Sequence, residues 1–498
     1  MKKRLICGAL ALILALGGFL TAHLLVLRSG EHITFEEKTR QGDFRAAQGL
    51  RMNTELTSLR NNLRWNTAMT MGQEPETDMK HLLFRPGDAH TEKVATLRLD
   101  SYLDFGISSS PGYELDLDEH LLKRIRTMVE DVAGRTPNGE WRVERVNLRD
   151  YYEFFPLELE LYIPGHMIQD DVLEVKEEKS FRQDFENAFR FPVPEGYTRY
   201  VSVKKDGDGK IIEVHVGQYP VESDEGLYEA PTVQASDVAF SVGVQSVTTE
   251  QYLYFVVEAV HYLYEGSDTK TEPCDYSHTP GYGVYRLPLL PLKSQDYRPL
   301  TMDDLELICP MEVENAPVSL AVDGEHLMVV TKEDGVYVLH VLNSKTGAEV
   351  QTLVLDEAPA STSGYSEVQP FIYEDLVVYL CMEDPSYRLT VLSRNGDGGF
   401  KREYGADIPV ELVNGLSEGG MLTFAYDGGK LAMGQLVENG GYTGGSVRLA
   451  VFGPEGLRYN GLLESSLDRS VGTRDKTAGD LDYRPGLRAG GIIQLNWT

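Results

Sequence analysis

Cysteine, tryptophan and positive charge are all scarce in this chain. Four cysteines are spread over 498 residues, at positions 7, 274, 309 and 381. There is no Cys-x-x-Cys pair and no His-x-x-x-His pair, so the ligand spacing of a structural zinc site is missing. Cys7 lies in an apolar run, and the three cysteines that remain are too widely spaced to form a disulfide framework. They read as small buried apolar side chains, with one disulfide left open in an oxidising exterior. Lysine and arginine number 47 against 77 acids, a net charge of −30. Such a surface repels nucleic acid and anionic headgroups and attracts cations and basic partners. Nucleic acid is therefore excluded as a partner.

The usual signatures of catalysis are missing as well. The sequence has no phosphate-binding glycine loop, no His-Glu-x-x-His and no Ser-x-Asp-x-Gly-x-x-Trp box. Asp170-Asp171 and Asp303-Asp304 are adjacent carboxylates of the type used in glycoside hydrolysis, which needs a fixed separation across a bond. Among 77 acids such neighbours arise by chance. No catalytic, cofactor-binding or metal-ligating residue is assigned, and no cofactor is expected.

Long apolar runs are also rare, with one exception. Leu5 to Leu27 is 23 residues without a charge, nine of them leucine. A helix of that length spans about 35 Å, enough to cross a hydrocarbon core of about 30 Å. Ala11, Ala15 and Gly18 fall near one face, and His23 lies at the far end, within reach of headgroups. Lys2, Lys3 and Arg4 precede the run and hold residues 1–4 in the cytoplasm by the positive-inside bias. The expectation is a single-pass cell-membrane protein: a tail at 1–4, a transmembrane helix at 5–27, and residues 28–498 outside. A cleaved signal peptide is the competing reading. The run exceeds the usual apolar core of such a peptide, and Leu20 two places before Ala22 makes a poor cleavage site. Cys7 sits too near the start to be a processed, lipid-bearing cysteine. With Lys2, Lys3, Arg4 and Arg28 set aside, 43 basic residues face 77 acids in the exported part.

Beyond Arg28 the chain is dominated by short alternating segments. Gly49–Leu56 and Asn61–Met69 read as a hairpin, and Lys93–Phe105 and Leu157–Ile163 as further strands, the last with one wet face. Two helices interrupt them. One, near 118–133, carries Leu121, Leu122, Ile125, Met128, Val129 and Val132 in a stripe, with Asp118 as cap and Gly134 as stop. The other, near 178–189, places Phe181, Phe185 and Phe189 on one face. The patch Tyr151-Tyr152-Glu153-Phe154-Phe155 reads as packing groups more readily than as a binding surface. Asp206-Gly207-Asp208-Gly209 is a hairpin turn. It fails as a calcium loop, because Lys210 and Ile211 stand where such a loop needs oxygen and glycine.

From Val318 the text is four short strands joined by tight turns, repeated at Val368–Tyr404 and again at Met421–Leu463, with an earlier, longer copy from Val238 to Leu287. A four-strand unit recurring at roughly 40–50 residues marks a β-propeller blade. The predicted fold is all-β with an N-terminal transmembrane helix, a propeller of about seven four-stranded blades and the two helical insertions. The strand-like run Gly491–Trp497 is expected to join the blade begun just after the anchor, closing the ring near the membrane.

Asp334-Gly335-Val336-Tyr337-Val338-Leu339 followed by Asn343-Ser344-Lys345-Thr346-Gly347 resembles a quinoprotein-type (PQQ-like) propeller blade, with its strand and Thr-Gly turn. That family often places a tryptophan shortly afterwards, where this chain has Glu349-Val350-Gln351-Thr352. What the resemblance implies is therefore the fold and not the redox cofactor. The N-terminal half resembles bacterial membrane-anchored propeller-like proteins of unassigned activity. The expected function is a binding or scaffold role toward a protein or envelope polymer. The alternative is an envelope hydrolase or lyase, which needs three or more acids or histidines converging in the channel.

Overall fold

The computed structural model describes residues 14–21, 35–58, 63–73, 76–81, 95–101, 103, 105–109, 114–115, 123–162, 174–218, 238–265, 268–289, 298–358, 367–383, 386–395, 399–412, 422–438, 443–465 and 487–498. Within the apolar run, residues 14–21 form a helix with Leu14, Leu16, Phe19 and Leu20 exposed. The rest of the expected 5–27 span lies outside the described residues. No helix among those described is long and apolar enough to cross a membrane.

The chain divides into two compact units, Met1–Thr91 with Glu367–Thr498, and Glu92–Ser366. Among the described residues the first unit holds three antiparallel sheets. Glu367–Ile372, Leu376–Glu383, Ser386–Arg394 and Phe400–Asp407 form a simple four-strand meander. Leu422–Asp427, Lys430–Glu438, Thr443–Gly453 and Gly456–Ser465 form the next, to which Phe35–Gly42 adds a fifth strand at the outer edge. In the third, Leu487–Trp497 pairs with Leu50–Ser58, followed by Leu63–Thr70 and Glu76–His81. The expected union of the C-terminal strand with the first strands after the apolar run is thus observed, over Leu50↔Trp497 to Ser58↔Leu487. Neighbouring sheets bury their faces against each other. Val378, Leu389 and Tyr404 of one meet Phe424, Met433 and Phe452 of the next. Leu449, Val451 and Tyr459 of that sheet meet Leu50, Met52, Met69 and Leu495.

The fifth strand is fixed by particular contacts. The Tyr459 hydroxyl donates to Glu37 Oε1 at 2.9 Å, Arg40 pairs with the same carboxylate, and Lys38 Nζ lies 3.0 Å from Glu464. These donors hold the Glu37 carboxyl below the usual range, Arg40 contributing most. Gly42 ends the strand at φ +82°, where a Cβ would lie 2.2 Å from the Arg458 carbonyl oxygen. Gly42→Ala therefore carries both left-handed strain and a backbone clash. The expected cost is about 2 kcal/mol, read as a lowered denaturant midpoint.

The second unit contains Phe105–Ser108, Trp141–Asn147, Thr198–Lys205 and Ile211–Gly217 in one sheet, and Thr96–Asp100 paired with Glu158–Tyr162 in a separate ladder. Val238–Thr248, Tyr252–Glu265, Gly283–Pro288 and Glu306–Pro310 form another sheet, with Asp268–Pro273 paired to its second strand. Pro317–Asp323, His326–Glu333, Val336–Asn343 and Glu349–Glu357 complete the unit in sequential order. The Asp334-Gly335 turn between its second and third strands has φ of 48° and 80°, the pair of left-handed residues that a tight hairpin needs. Asn343 Oδ1 accepts from Lys345 N and Thr346 N at 3.1 and 2.9 Å, which builds the Thr-Gly turn before the fourth strand.

The helical insertions dock as their stripes require, with shifted ends. Among the described residues the first is Arg126–Arg135; Ile125 to Ala133 carry the buried stripe, and Gly134, expected as the stop, is inside the helix. Its stop is Thr136, whose extended backbone leaves the helix while its hydroxyl donates to Val132 O at 2.9 Å. Asp118, Leu121 and Leu122 lie outside the described residues. The second helix is Glu174–Ala188, with Phe181, Phe185 and Phe189 all buried. The strand Glu158–Tyr162 does not have the expected wet face throughout. Glu158 is buried, with its Oε2 3.8 Å from Arg124 Nε, and Arg124 also pairs with Glu186 at 2.6 Å. The Arg124 charge offsets part of the cost of burying the carboxylate.

Candidate functional site

Three sheet-edge strands of the first unit end at one place. The turn after Glu367–Ile372, the end of Leu422–Asp427 and the end of Leu487–Trp497 surround a cleft of about 600 Å³. Each strand is the edge of a different sheet, so the three meet through side chains without ladder hydrogen bonds. Phe371 and Phe424 meet edge to face at 4.9 Å, and the Phe424 amide donates to the Tyr373 hydroxyl at 2.9 Å. Trp497 Nε1 donates to Ala425 O at 3.3 Å, tying the last strand to the middle one.

The local backbone follows from the sequence at each corner. Glu374-Asp375 form a tight turn closed by Tyr373 N to Leu376 O at 2.8 Å. Asp427 precedes Gly428-Gly429 at φ 52° and 98°, the two left-handed positions of a hairpin turn that glycine fills without penalty. Thr498 is held by its amide and hydroxyl, both donating to Gly49 O, at 2.9 and 2.8 Å. The result is a rim of exposed carboxylates, Glu374, Asp375 and Asp427, around half-buried rings of Tyr373, Tyr426 and Trp497. Burial pushes the Tyr426 hydroxyl above its ordinary value, and the Glu403 charge adds to this. Lys430 Nζ sits 5.3 Å above the Trp497 ring centroid.

The residues singled out in the sequence lie elsewhere and have structural work. Asp304 is ion-paired to Arg298 and accepts from Thr301 N at 2.8 Å, capping a short turn. Asp170 and Asp171 lie outside the described residues. Asp206 Oδ1 accepts from Asp208 N and Lys210 N at 3.0 and 2.8 Å, so its carboxylate shapes the turn. His215 Nε2 meets Glu213 at 2.7 Å. Phe155 stacks on Phe240 at 3.8 Å, Tyr152 is pushed up to about 12 by burial, and Tyr151 bonds to Asp131, so this patch is packing. Cys274, Cys309 and Cys381 are free thiols; burial lifts Cys274 to about 12 and raises Cys309 as well. Among the described residues no group of three or more His, Cys, Asp or Glu side chains is arranged to hold a metal ion.

The cleft itself went unread in the sequence because its parts are separated by about fifty and seventy residues. One signal was available. Tyr373-Glu374-Asp375 and Tyr426-Asp427 each place a tyrosine and acid at the first turn of a repeat, and aligning the repeats by their turns would have paired them.

A second cluster shows different chemistry. His340 Nε2 lies 2.8 Å from Glu333 Oε1 and Nδ1 lies 3.1 Å from Glu349 Oε2. Thr331 Oγ1 donates to Glu333 at 2.7 Å, and both carboxyls are held below their usual range by these donors. Thr331 is buried, so the group offers no nucleophile to a substrate and serves to pin three strands together.

No protein-family model and no curated protein matches the chain. Among solved structures it is similar to the periplasmic gluconolactonase of Pseudomonas aeruginosa, at 12% identity over 84% of this chain and 95% of that one, with a TM-score of 0.27. The endo-arabinase of Bacteroides thetaiotaomicron matches at 12% identity over 55% and 88%, TM-score 0.18. Oligopeptidase B of Trypanosoma brucei matches at 12% identity over 82% and 48%, TM-score 0.24. Likeness at this level assigns neither an activity nor a blade count.

Proposed function

We propose that this chain is a membrane-anchored, extracytoplasmic binding or scaffold protein on a β-propeller-like body of about seven blades. In this reading residues 5–27 span the bilayer, residues 1–4 are cytoplasmic, and the partner is a protein or envelope polymer. The observation that carries it is the cleft, where rings and carboxylates from three separate sheets converge on a rigid frame. Turn tips supply the polar groups and strands hold them, the usual division of labour in binding surfaces.

The converging acids also favour a hydrolase or lyase as the second reading. That chemistry needs one carboxyl kept protonated near neutral pH, which burial provides. Glu374, Asp375 and Asp427 are all exposed at turn tips, so the binding reading is preferred.

A photo-crosslinking side chain at Asn496, installed in cells, tests the proposal. A discrete adduct is expected, and it should vanish when Tyr373 and Tyr426 are both replaced by serine in a chain that keeps its wild-type melting temperature. An adduct profile identical to that of a crosslinker placed at exposed Glu455 would sink the binding reading.

A further inference from the structure

We infer that the cleft takes an alkylammonium group, such as the side chain of a lysine in an extended basic segment. This rests on the cleft being the binding surface and names its ligand class. Three observations carry it. First, none of Glu374, Asp375 and Asp427 has an ion-pair partner among the described residues, whereas Glu37, Asp304, Glu325 and Glu403 of this chain are each paired with a cation. Three unneutralised charges on one rim repel each other, and a bound cation removes that repulsion. Second, the chain already shows what the aromatic floor accepts. Lys430 places its own ammonium 5.3 Å above the Trp497 ring, within range of the ring quadrupole. Third, the same lysine occupies one side of that ring, which leaves less aromatic surface for a flat sugar face than a slim aliphatic chain needs beside Tyr373 and Tyr426. The cleft volume of about 600 Å³ accommodates such a chain. Anionic ligands are disfavoured by the rim and by the net charge of −30.

The test uses the full chain in detergent micelles and a fluorescein-labelled pentalysine amide, followed by fluorescence anisotropy at low and physiological ionic strength. Binding is expected and should weaken with salt. The triple variant E374Q/D375N/D427N should lose at least about tenfold in affinity. A control with the same charge change at exposed positions outside the cleft, E250Q/E312Q/E455Q, should lose less than about threefold. Lys430→Met should tighten binding a few-fold, because it uncovers the Trp497 face and removes a competing charge. Unlabelled spermidine competing with the peptide supports the same chemistry from a free polyamine. Equal losses in the two triple variants would mean diffuse electrostatics and would overturn the inference. If a neutral N-acetylglucosamine tetramer binds and pentalysine does not, the ammonium class fails while the cleft stands as a binding site. If pentalysine affinity is unchanged in the cleft triple variant and the Asn496 crosslink is also absent, both fail together.

Discussion

Removing residues 487–498 should unfold the first unit. The eleven-residue strand Leu487–Trp497 is the edge partner of Leu50–Ser58 at nine paired positions, and no other described strand takes that side of the sheet. Its loss strips the ladder from Leu50–Ser58 and opens the core beneath. Leu495 is buried, and Leu50 and Met52, which it covers, are fully buried. Each large apolar side chain returned to water costs about 1.5–3 kcal/mol. Exposing Leu50 and Met52, removing Leu495 and breaking the Trp497–Ala425 bond together reach about 5 kcal/mol or more. A domain is usually stable by only about 5–15 kcal/mol. The expected result is a lost or strongly lowered first transition in calorimetry, with a second transition from the Glu92–Ser366 unit retained. A milder variant guards against a trivial outcome. Leu495→Asn keeps the backbone pairing and removes only the buried side chain, and it should lower the same transition by a few degrees. A truncated chain that melts like the full-length protein would show that the strand merely rests on the sheet.

Much of this was written in the sequence, because it depends on local turn chemistry. The Asp323-Gly324, Asp334-Gly335 and Gly428-Gly429 turns each lie between alternating strands, and each joins neighbours in the same sheet. Where a pairing joins distant segments, pattern alone does not show it. Phe105–Ser108 pairs with Ile211–Gly217, and the two are separated by both helical insertions. Phe35–Gly42 pairs with Gly456–Ser465, though its sequence, FEEKTRQG, is polar and lacks alternation. Its place is set by edge hydrogen bonds and by Glu37, Lys38 and Arg40, not by a buried face. Glu158 misleads for a related reason. Strand alternation puts it on the wet face, but Arg124 arrives from beyond the strand and makes burial tolerable. The cleft follows the same logic. Each corner is a legible turn, and only the packing of edge strands from three sheets brings the corners together.

Stability of the second unit should fall as pH rises from about 5 to 8, and Glu258→Gln should abolish that slope. Glu258 sits on Tyr252–Glu265, where burial lifts its carboxyl to about 7 from an ordinary value of 4.5. Gln245 Nε2 donates to Glu258 Oε1 at 3.0 Å, a bond that favours ionisation but does not offset the burial. The same amide nitrogen lies 3.2 Å from Pro317 O, at the start of the next sheet, so the carboxyl is coupled to the contact between two sheets. Tyr276 and Tyr282 are the phenols whose titration this charge influences, and both are themselves raised beyond the neutral range. Because the folded group holds its proton more tightly than the unfolded one, its contribution is complete below about pH 4.5. It is lost as pH rises through about 7. At about 1.4 kcal/mol for each pH unit, the swing approaches 3 kcal/mol at most. Glutamine keeps the acceptor for Gln245 and has no proton to lose. At pH 8 the Glu258→Gln chain should therefore be more stable than wild type by about 2 kcal/mol, and at pH 5 the two should nearly coincide. Urea midpoints across that range decide the matter. Parallel wild-type and variant curves would mean that water reaches Glu258 in solution and that its carboxyl titrates like an ordinary surface acid.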